Sequence, residues 1–317
     1  MKAVFLDRET FNNNIDLSAI SEHVDELTCY DMTRADDIVH RCKDATVVIV
    51  NKVLLNKEIL ESLPKLKYIG ITATGYNNVD IKSASRLGIT VTNVSGYAGA
   101  SVSQYVFSQI LAYYQQITHH NENTQKGLWQ QSRTFCYHGN AISELAGKTI
   151  AIIGYGNLGK SVELIARAFD MKVLISERVG KTVIREGRVA LNEALAQADI
   201  ITLHCPQTPD TENLINAHRL KMMKPSAMLI NTARGPLIDE TALLYALKAN
   251  EIAYAALDVL SVEPPPKDHP LLSANLNNLK ITAHIAWASS EAQQRLITLV
   301  GRNIEAYKQG EKLNQLN

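Results

Sequence analysis

Thr149-Ile150-Ala151-Ile152-Ile153 runs without a polar break into Gly154, Gly156 and Gly159, and that junction limits the folds open to this chain. A short β-branched run of this kind suits a strand buried on both faces of a parallel sheet. The three glycines have separate uses. The first permits a tight turn, the second lets the backbone approach a pyrophosphate, and the third lets the next helix pack closely on its strand. The N–H groups around Asn157 and Leu158, with the helix dipole, favour an anion there without any basic side chain. Lys172 to Ser176 reads as a second strand. Glu177, eighteen residues beyond Gly159, stands where a carboxylate can accept hydrogen bonds from both hydroxyls of an adenosine ribose. Glycines alone also mark ordinary turns. Strand before, helix after and acid at this distance are independent conditions, and together they point to a bound dinucleotide.

The 317 residues are enough for two domains of ordinary size. Lys plus Arg and Asp plus Glu both number 32, so no net field recruits nucleic acid or an anionic membrane, and the expected partners are small molecules or protein. Cys29, Cys42, Cys136 and Cys205 form no CxxC pair and no metal-ligand spacing, which fits thiols in a reducing compartment and no metal site. The chain opens on strand-like Lys2-Ala3-Val4-Phe5-Leu6 rather than a basic region followed by an apolar one, so the expectation is a cytoplasmic protein. Apolar runs such as Thr46 to Val50 are far too short to cross a bilayer.

Up to about residue 95, strand-like runs (Ala3 to Leu6, Thr46 to Val50, Tyr68 to Ile71, Thr90 to Thr92) alternate with helix-compatible segments, the mark of a parallel α/β domain. Ligands of such sheets bind where the strands end. Lys52 either presents its ammonium to an anionic substrate or is a solvated surface lysine, and the N–H groups of Ala73, Thr74 and Gly75 can hold a carboxylate in a small nest. Ser101 with Gln104 reads as a capping box opening a helix with a buried face, and residues 119 to 143 read as polar and aperiodic, with surface histidines. After the central unit, Ile200 to His204, Ala227 to Asn231, Ile252 to Val259 and Lys280 to Ala283 continue the parallel sheet. A second box, Ser290 with Gln293, starts a last amphipathic helix expected to run back onto the first domain.

Reducing a carbonyl with a nicotinamide needs a cation to hold and polarise the substrate and an acid to protonate the forming alkoxide. Arg234, following a buried strand, has the planar fork that suits a carboxylate beside a ketone, unless it pairs with a structural acid. His284 ends another strand and is the residue type that exchanges protons at neutral pH. Glu263 is the carboxylate available to orient it and to favour the imidazolium.

Along nearly its whole length the chain resembles the D-2-hydroxyacid dehydrogenase family. The resemblance rests on Ala73 to Asp80 with Gly88 to Gly96, Glu144 to Lys148, Gly154 to Gly159, His204-Cys205-Pro206, Asn231 to Gly235, Leu257 to Pro264 and Thr282 to Ser289. It implies an NAD-dependent oxidoreductase interconverting a small 2-keto acid and its D-2-hydroxy acid. Arg234 would bind substrate, His284 would be the general acid/base and Glu263 its partner. Cofactor contacts would fall on Gly154, Gly156, Asn157, Leu158, Gly159, Glu177, Arg178, His204, Cys205, Pro206, Thr232, Ala233 and Asp258. It further implies two parallel-sheet domains: a central Rossmann domain over 97–285 and a flavodoxin-like substrate domain made of 1–96 with 286–317. A homodimer through the cofactor domains would be the assembly. His284-Ile285-Ala286-Trp287 is similar to the glycerate dehydrogenase or hydroxypyruvate reductase branch, which implies hydroxypyruvate and D-glycerate as the pair, with glyoxylate and glycolate as a second, and a small pocket shaped by Trp287. Two positions depart from the common pattern. The ribose acid is Glu177 rather than aspartate, followed by an Arg178 that can meet a 2′-phosphate, so NAD is expected over NADP less firmly than an aspartate would imply; and Gln104 stands where relatives often have glutamate. A dinucleotide-sensing protein resembling the C-terminal-binding corepressors keeps the same fold and the same arginine, glutamate and histidine, and is the alternative.

Overall fold

The computed structural model describes residues 1–317. The chain divides into two compact units, Met1–Ala98 with Trp287–Asn317, and Gly99–Ala286. In the first, strands β1 (Lys2–Phe5), β2 (Glu26–Cys29), β3 (Val47–Val50), β4 (Tyr68–Ile71) and β5 (Thr90–Thr92) form a parallel sheet in the order β2-β1-β3-β4-β5. This is the flavodoxin-like order. Strands β3 and β4 are buried at every position, as continuous apolar runs in a doubly covered sheet must be. The edge strand β2 carries no such run, and its sequence signal is correspondingly absent.

Helix Ser290–Lys308 completes this unit. Its cap is Ser289, one residue before the serine that the sequence pattern marks: the Ser289 hydroxyl accepts from the Ala292 N–H at 3.2 Å, a bond of about 1 kcal/mol. Gln293 instead ties the helix outward, accepting from the Asn12 N–H at 2.8 Å and donating to the Ala288 carbonyl at 2.8 Å. Tyr307 lies 4.8 Å from the Tyr68 ring, and Gly301 backs onto the Ala19 carbonyl so closely that no side chain fits between them.

The second unit holds β6 (Thr149–Ile153), β7 (Lys172–Ile175), β8 (Ile200–Leu203), β9 (Met228–Asn231), β10 (Tyr254–Leu257) and β11 (Leu279–Ile281), parallel and ordered β11-β10-β9-β8-β6-β7. Beyond β7 a single parallel bridge, Ser176 to Val189, stands where a third strand of the nucleotide-binding half would lie. With that position counted, the order is that of a Rossmann sheet, reversing between β6 and β8, and ligands sit outside the strand ends at such a reversal. The expected architecture, two parallel-sheet α/β domains, is the observed one.

Helix Gly99–Gln115 starts two residues before Ser101, whose hydroxyl is used on the Ala286 carbonyl at 2.7 Å and not as the expected cap. Ile117–Gln125 is a helix too. Only Asn123 of it is buried, so it lacks the apolar stripe by which sequence patterning finds helices. His119 and His120 are half-buried there rather than on the surface. No helix is long and apolar enough to cross a membrane.

Candidate active site

The glycine turn is shaped by a neighbour. Gly154 has φ +98°, and a Cβ on it would lie 2.4 Å from the Cys205 N and 2.5 Å from the His204 carbonyl carbon, so only glycine lets the ends of β6 and β8 close together. Gly156 differs: a Cβ there would meet nothing within 4 Å, which leaves open space beside the turn. Helix Asn157–Ala168 begins at Gly156 without a side-chain cap, and its first internal bond is Lys160 N–H to the Gly156 carbonyl. The N–H groups of Asn157, Leu158 and Gly159 therefore emerge at the helix end beside that space. An open cradle and three outward donors fit a pyrophosphate.

His204, at the end of β8, is held by Thr202 (2.9 Å) and Thr232 (3.5 Å). Burial depresses its pKa to about 4, so the ring is neutral at ordinary pH, and burial pushes the Cys205 thiol up to about 11. Thr232 and Ala233 are themselves buried, while Pro206 accepts from Thr211 through its carbonyl. Asn231 fixes the next turn, accepting from the Ala233 N–H at 3.0 Å and donating to the Arg234 carbonyl at 2.8 Å. Arg234 is half-buried, and its guanidinium donates to the Ala233 carbonyl (2.6 Å); none of the ion pairs of the chain includes it. The structural-acid alternative for this arginine thus has no acid.

Gly235 brings the Arg234 turn against a second loop. A Cβ on Gly235 would fall 1.9 Å from the Leu260 carbonyl carbon, a contact only glycine permits. The Leu260 N–H in turn donates to Glu263 Oε1 at 3.0 Å, and Glu263 Oε2 lies 2.7 Å from His284 Nδ1. One carboxylate oxygen is therefore steadied by backbone while the other orients the ring, leaving Nε2 to face outward chemistry. His284 has φ +55°, a left-handed conformation that costs a residue with a side chain about 1–3 kcal/mol.

Asp258 meets that cost. It is 1% exposed and ends β10. Its carbonyl accepts the His284 N–H at 2.8 Å. Its carboxylate accepts the Thr282 hydroxyl (2.5 Å), the Ile285 N–H (2.9 Å) and the Ala286 N–H (2.8 Å). Asp258, expected as a cofactor contact, directs its carbonyl and carboxylate to the histidine loop, a role no spacing announced.

Glu177 is likewise engaged. Oε1 accepts from the Arg178 N–H (2.8 Å) and Arg185 Nη2; Oε2 accepts from Arg185 Nε (2.7 Å) and the Arg185 N–H (3.2 Å). These bonds hold its carboxyl well below the usual range. Arg178 contributes only backbone to this arrangement, and Arg185 was not singled out by the sequence pattern.

On the other unit, buried Asp7 accepts the N–H groups of Asn51, Lys52 and Val53, which sets the loop bearing Lys52; burial raises the Asp7 pKa and these bonds oppose the rise. Ala73 is buried, and Thr74 donates to the Val94 carbonyl at 2.8 Å, shaping the Thr74–Gly75 turn. Trp287 packs edge-on against Phe11 (5.7 Å) and Tyr97 (6.3 Å). No group of His, Cys, Asp and Glu is arranged to hold a metal ion.

A Rossmann sheet with an open phosphate turn, and an acid-paired histidine near an arginine without an acid, define a nicotinamide-dependent oxidoreductase. Residues 107–286 match the family model of the D-isomer specific 2-hydroxyacid dehydrogenase NAD binding domain, and the chain belongs to that family. It is 42% identical to the glycerate dehydrogenase of Methylorubrum extorquens over 99% of this chain and 98% of the other. It is 36% identical to the hydroxypyruvate reductase of Blautia hydrogenotrophica, with both chains covered in full. Among solved structures, an acyclic imino acid reductase in complex with NADPH and D-Arg superposes with TM-score 0.86 at 33% identity, covering 100% of both chains. The chain is accordingly an NAD-dependent dehydrogenase interconverting 2-keto and 2-hydroxy acids, as the sequence resemblance implied.

Proposed function

We propose that the substrate pair is hydroxypyruvate and D-glycerate, that Gly99–Ala286 is the cofactor domain and that Met1–Ala98 with Trp287–Asn317 is the substrate domain. The reading is carried by the 2.7 Å bond between His284 Nδ1 and Glu263, which fixes the tautomer and leaves Nε2 as the proton carrier. Bound NADH supplies the hydride. Arg234 grips the substrate carboxylate and stabilises the developing alkoxide, and the imidazolium of His284 hands over its proton; in oxidation the neutral ring takes one back. Gly154 to Gly159 receive the pyrophosphate, with His204 to Pro206, Thr232, Ala233 and Asp258 lining the remaining cofactor path. On the substrate domain, Lys52 and the N–H groups of the Ala73–Gly75 turn are the groups suited to a carboxylate, and the tethered Trp287 limits substrate size.

The assembly is a homodimer through the cofactor domains. Phe135, 90% exposed, and Trp129, 52% exposed, with Ile117 and Ile142 give that domain apolar surface suited to a second copy. Four unbridged cysteines suit the cytoplasm. The deciding experiment follows NADH oxidation with hydroxypyruvate, glyoxylate and pyruvate. The highest kcat/KM is expected with hydroxypyruvate, and a clear preference for pyruvate overturns the substrate assignment.

A further inference from the structure

The carboxylate of Glu177 is filled from within the chain. Two carboxylate oxygens offer about four acceptor sites, and four donors occupy them: the N–H groups of Arg178 and Arg185, and Nε and Nη2 of the Arg185 guanidinium. A ribose diol needs two of those sites. Glu177 and the diol can therefore meet only if the Arg185 fork lets go, since the two backbone donors belong to the loop itself. The two side chains are unequally placed for that exchange: Glu177 is 2% exposed, whereas Arg185 is 52% exposed and free to swing into solvent.

With the fork closed, the acid no longer presents an unpaired negative charge to a nucleotide, and a second guanidinium stands close by. Arg188 donates to the Ser176 carbonyl at 3.4 Å and lies 5.7 Å from the Tyr155 ring, so it spans from the end of β7 to the glycine turn; Lys160 approaches the same ring at 5.9 Å. Tyr155 also donates to Glu163, which holds the ring in place between those cations. This is a surface for a phosphate on the ribose rather than for a bare diol.

We propose that Arg185 is the specificity-determining residue of the adenosine-ribose subsite: closed on Glu177 it makes the subsite accept a 2′-phosphorylated nucleotide, and withdrawn it exposes the acid that reads an unphosphorylated ribose. The enzyme therefore uses NADPH as well as NADH. This rests on placing the adenosine ribose at Glu177.

Calorimetric titration with ADP and with 2′,5′-ADP tests both statements without turnover. The wild type is expected to bind the two within about threefold of each other, and Arg185→Ala to bind ADP severalfold tighter and 2′,5′-ADP about tenfold weaker. Arg185→Met, which keeps the aliphatic stem, is measured beside it and should behave alike. Glu177→Gln should weaken ADP binding most in the Arg185→Ala background, where the acid is exposed. If neither Arg185 variant changes the ratio of the two affinities while Glu177→Gln does, Arg185 has no such role. If Glu177→Gln changes neither affinity in either background, the ribose does not lie at Glu177 and the placement falls with the proposal. NADH and NADPH kcat/KM ratios should follow the binding ratios.

Discussion

His204 directly follows strand β8 and His284 lies three residues beyond β11 of the same sheet, yet their surroundings set them to opposite uses. His204 is wedged between two threonine hydroxyls, with no carboxylate beside it, and burial keeps it neutral down to about pH 4. His284 is only partly covered, is forced into a left-handed turn, and bonds a carboxylate whose second oxygen is anchored to backbone. The first ring is a fixed hydrogen-bonding group between hydroxyls; the second is oriented by a carboxylate with its other edge left for substrate. What separates them is the neighbour at Nδ1, a hydroxyl in one case and a carboxylate in the other, rather than their place on the sheet.

Removing each ring tests that contrast most directly. His284→Ala should lower kcat by about a thousandfold, the range for a lost general acid, while NADH affinity measured by fluorescence titration stays within a few fold. His204→Ala should do the reverse, loosening NADH with much less effect on kcat. Similar losses of kcat in both variants would erase the distinction. Next in size is Arg234→Lys, which leaves both histidines untouched but replaces the fork with a point charge; a loss of about 3 kcal/mol in kcat/KM is expected, and near-normal kinetics would take Arg234 out of the site.

Asp258→Asn loosens the loop under His284 alone. An amide offers one acceptor oxygen where the carboxylate serves three donors, so kcat should fall about tenfold and stability by about 2 kcal/mol, read from steady-state rates and urea unfolding. Unchanged kcat with lowered stability would make Asp258 a purely structural residue.

Glu263→Gln sharpens the comparison by giving His284 an uncharged neighbour like the one His204 has. Without the carboxylate, Nδ1 loses the acceptor that sets its tautomer and orients the ring, so kcat should fall in both directions while NADH affinity stays within a few fold. An unchanged kcat would remove Glu263 from the mechanism.

The remaining effect is on stability alone. The folded-state pKa of His204 lies below its ordinary value of 6.5, so on acidification the unfolded chain takes up the proton first. The stabilisation is whole above about pH 6.5 and is lost as pH falls toward 4, by up to about 3 kcal/mol in urea titrations. His204→Gln should flatten that slope. An unaltered slope would show that His204 is not the buried neutral ring described.

Much of this contrast could be read from sequence, because its signals are local. A β-branched run, three glycines and an acid occupy one contiguous stretch, and Arg234 and Glu263 come after the buried strands β9 and β10, with His284 after the edge strand β11. The missing features are those whose signal is non-local or absent. Strand β2 is a half-exposed edge, and helix Ile117–Gln125 has no apolar face. Asp258 serves donors some two dozen positions away, and the grip of Arg185 on Glu177 depends on how an irregular loop folds back, which no periodicity encodes.

That loop has a further consequence. Between Glu177 and Val189 the chain makes no helix and rejoins the sheet through one bridge, with only Val179 and Val189 packed against the core. A dozen residues between them thus carry almost none of the fold's burial. Such a segment is open to exchange: its residues can be replaced as a block without disturbing the buried strands of the sheet, so this stretch can diverge while the fold is inherited intact.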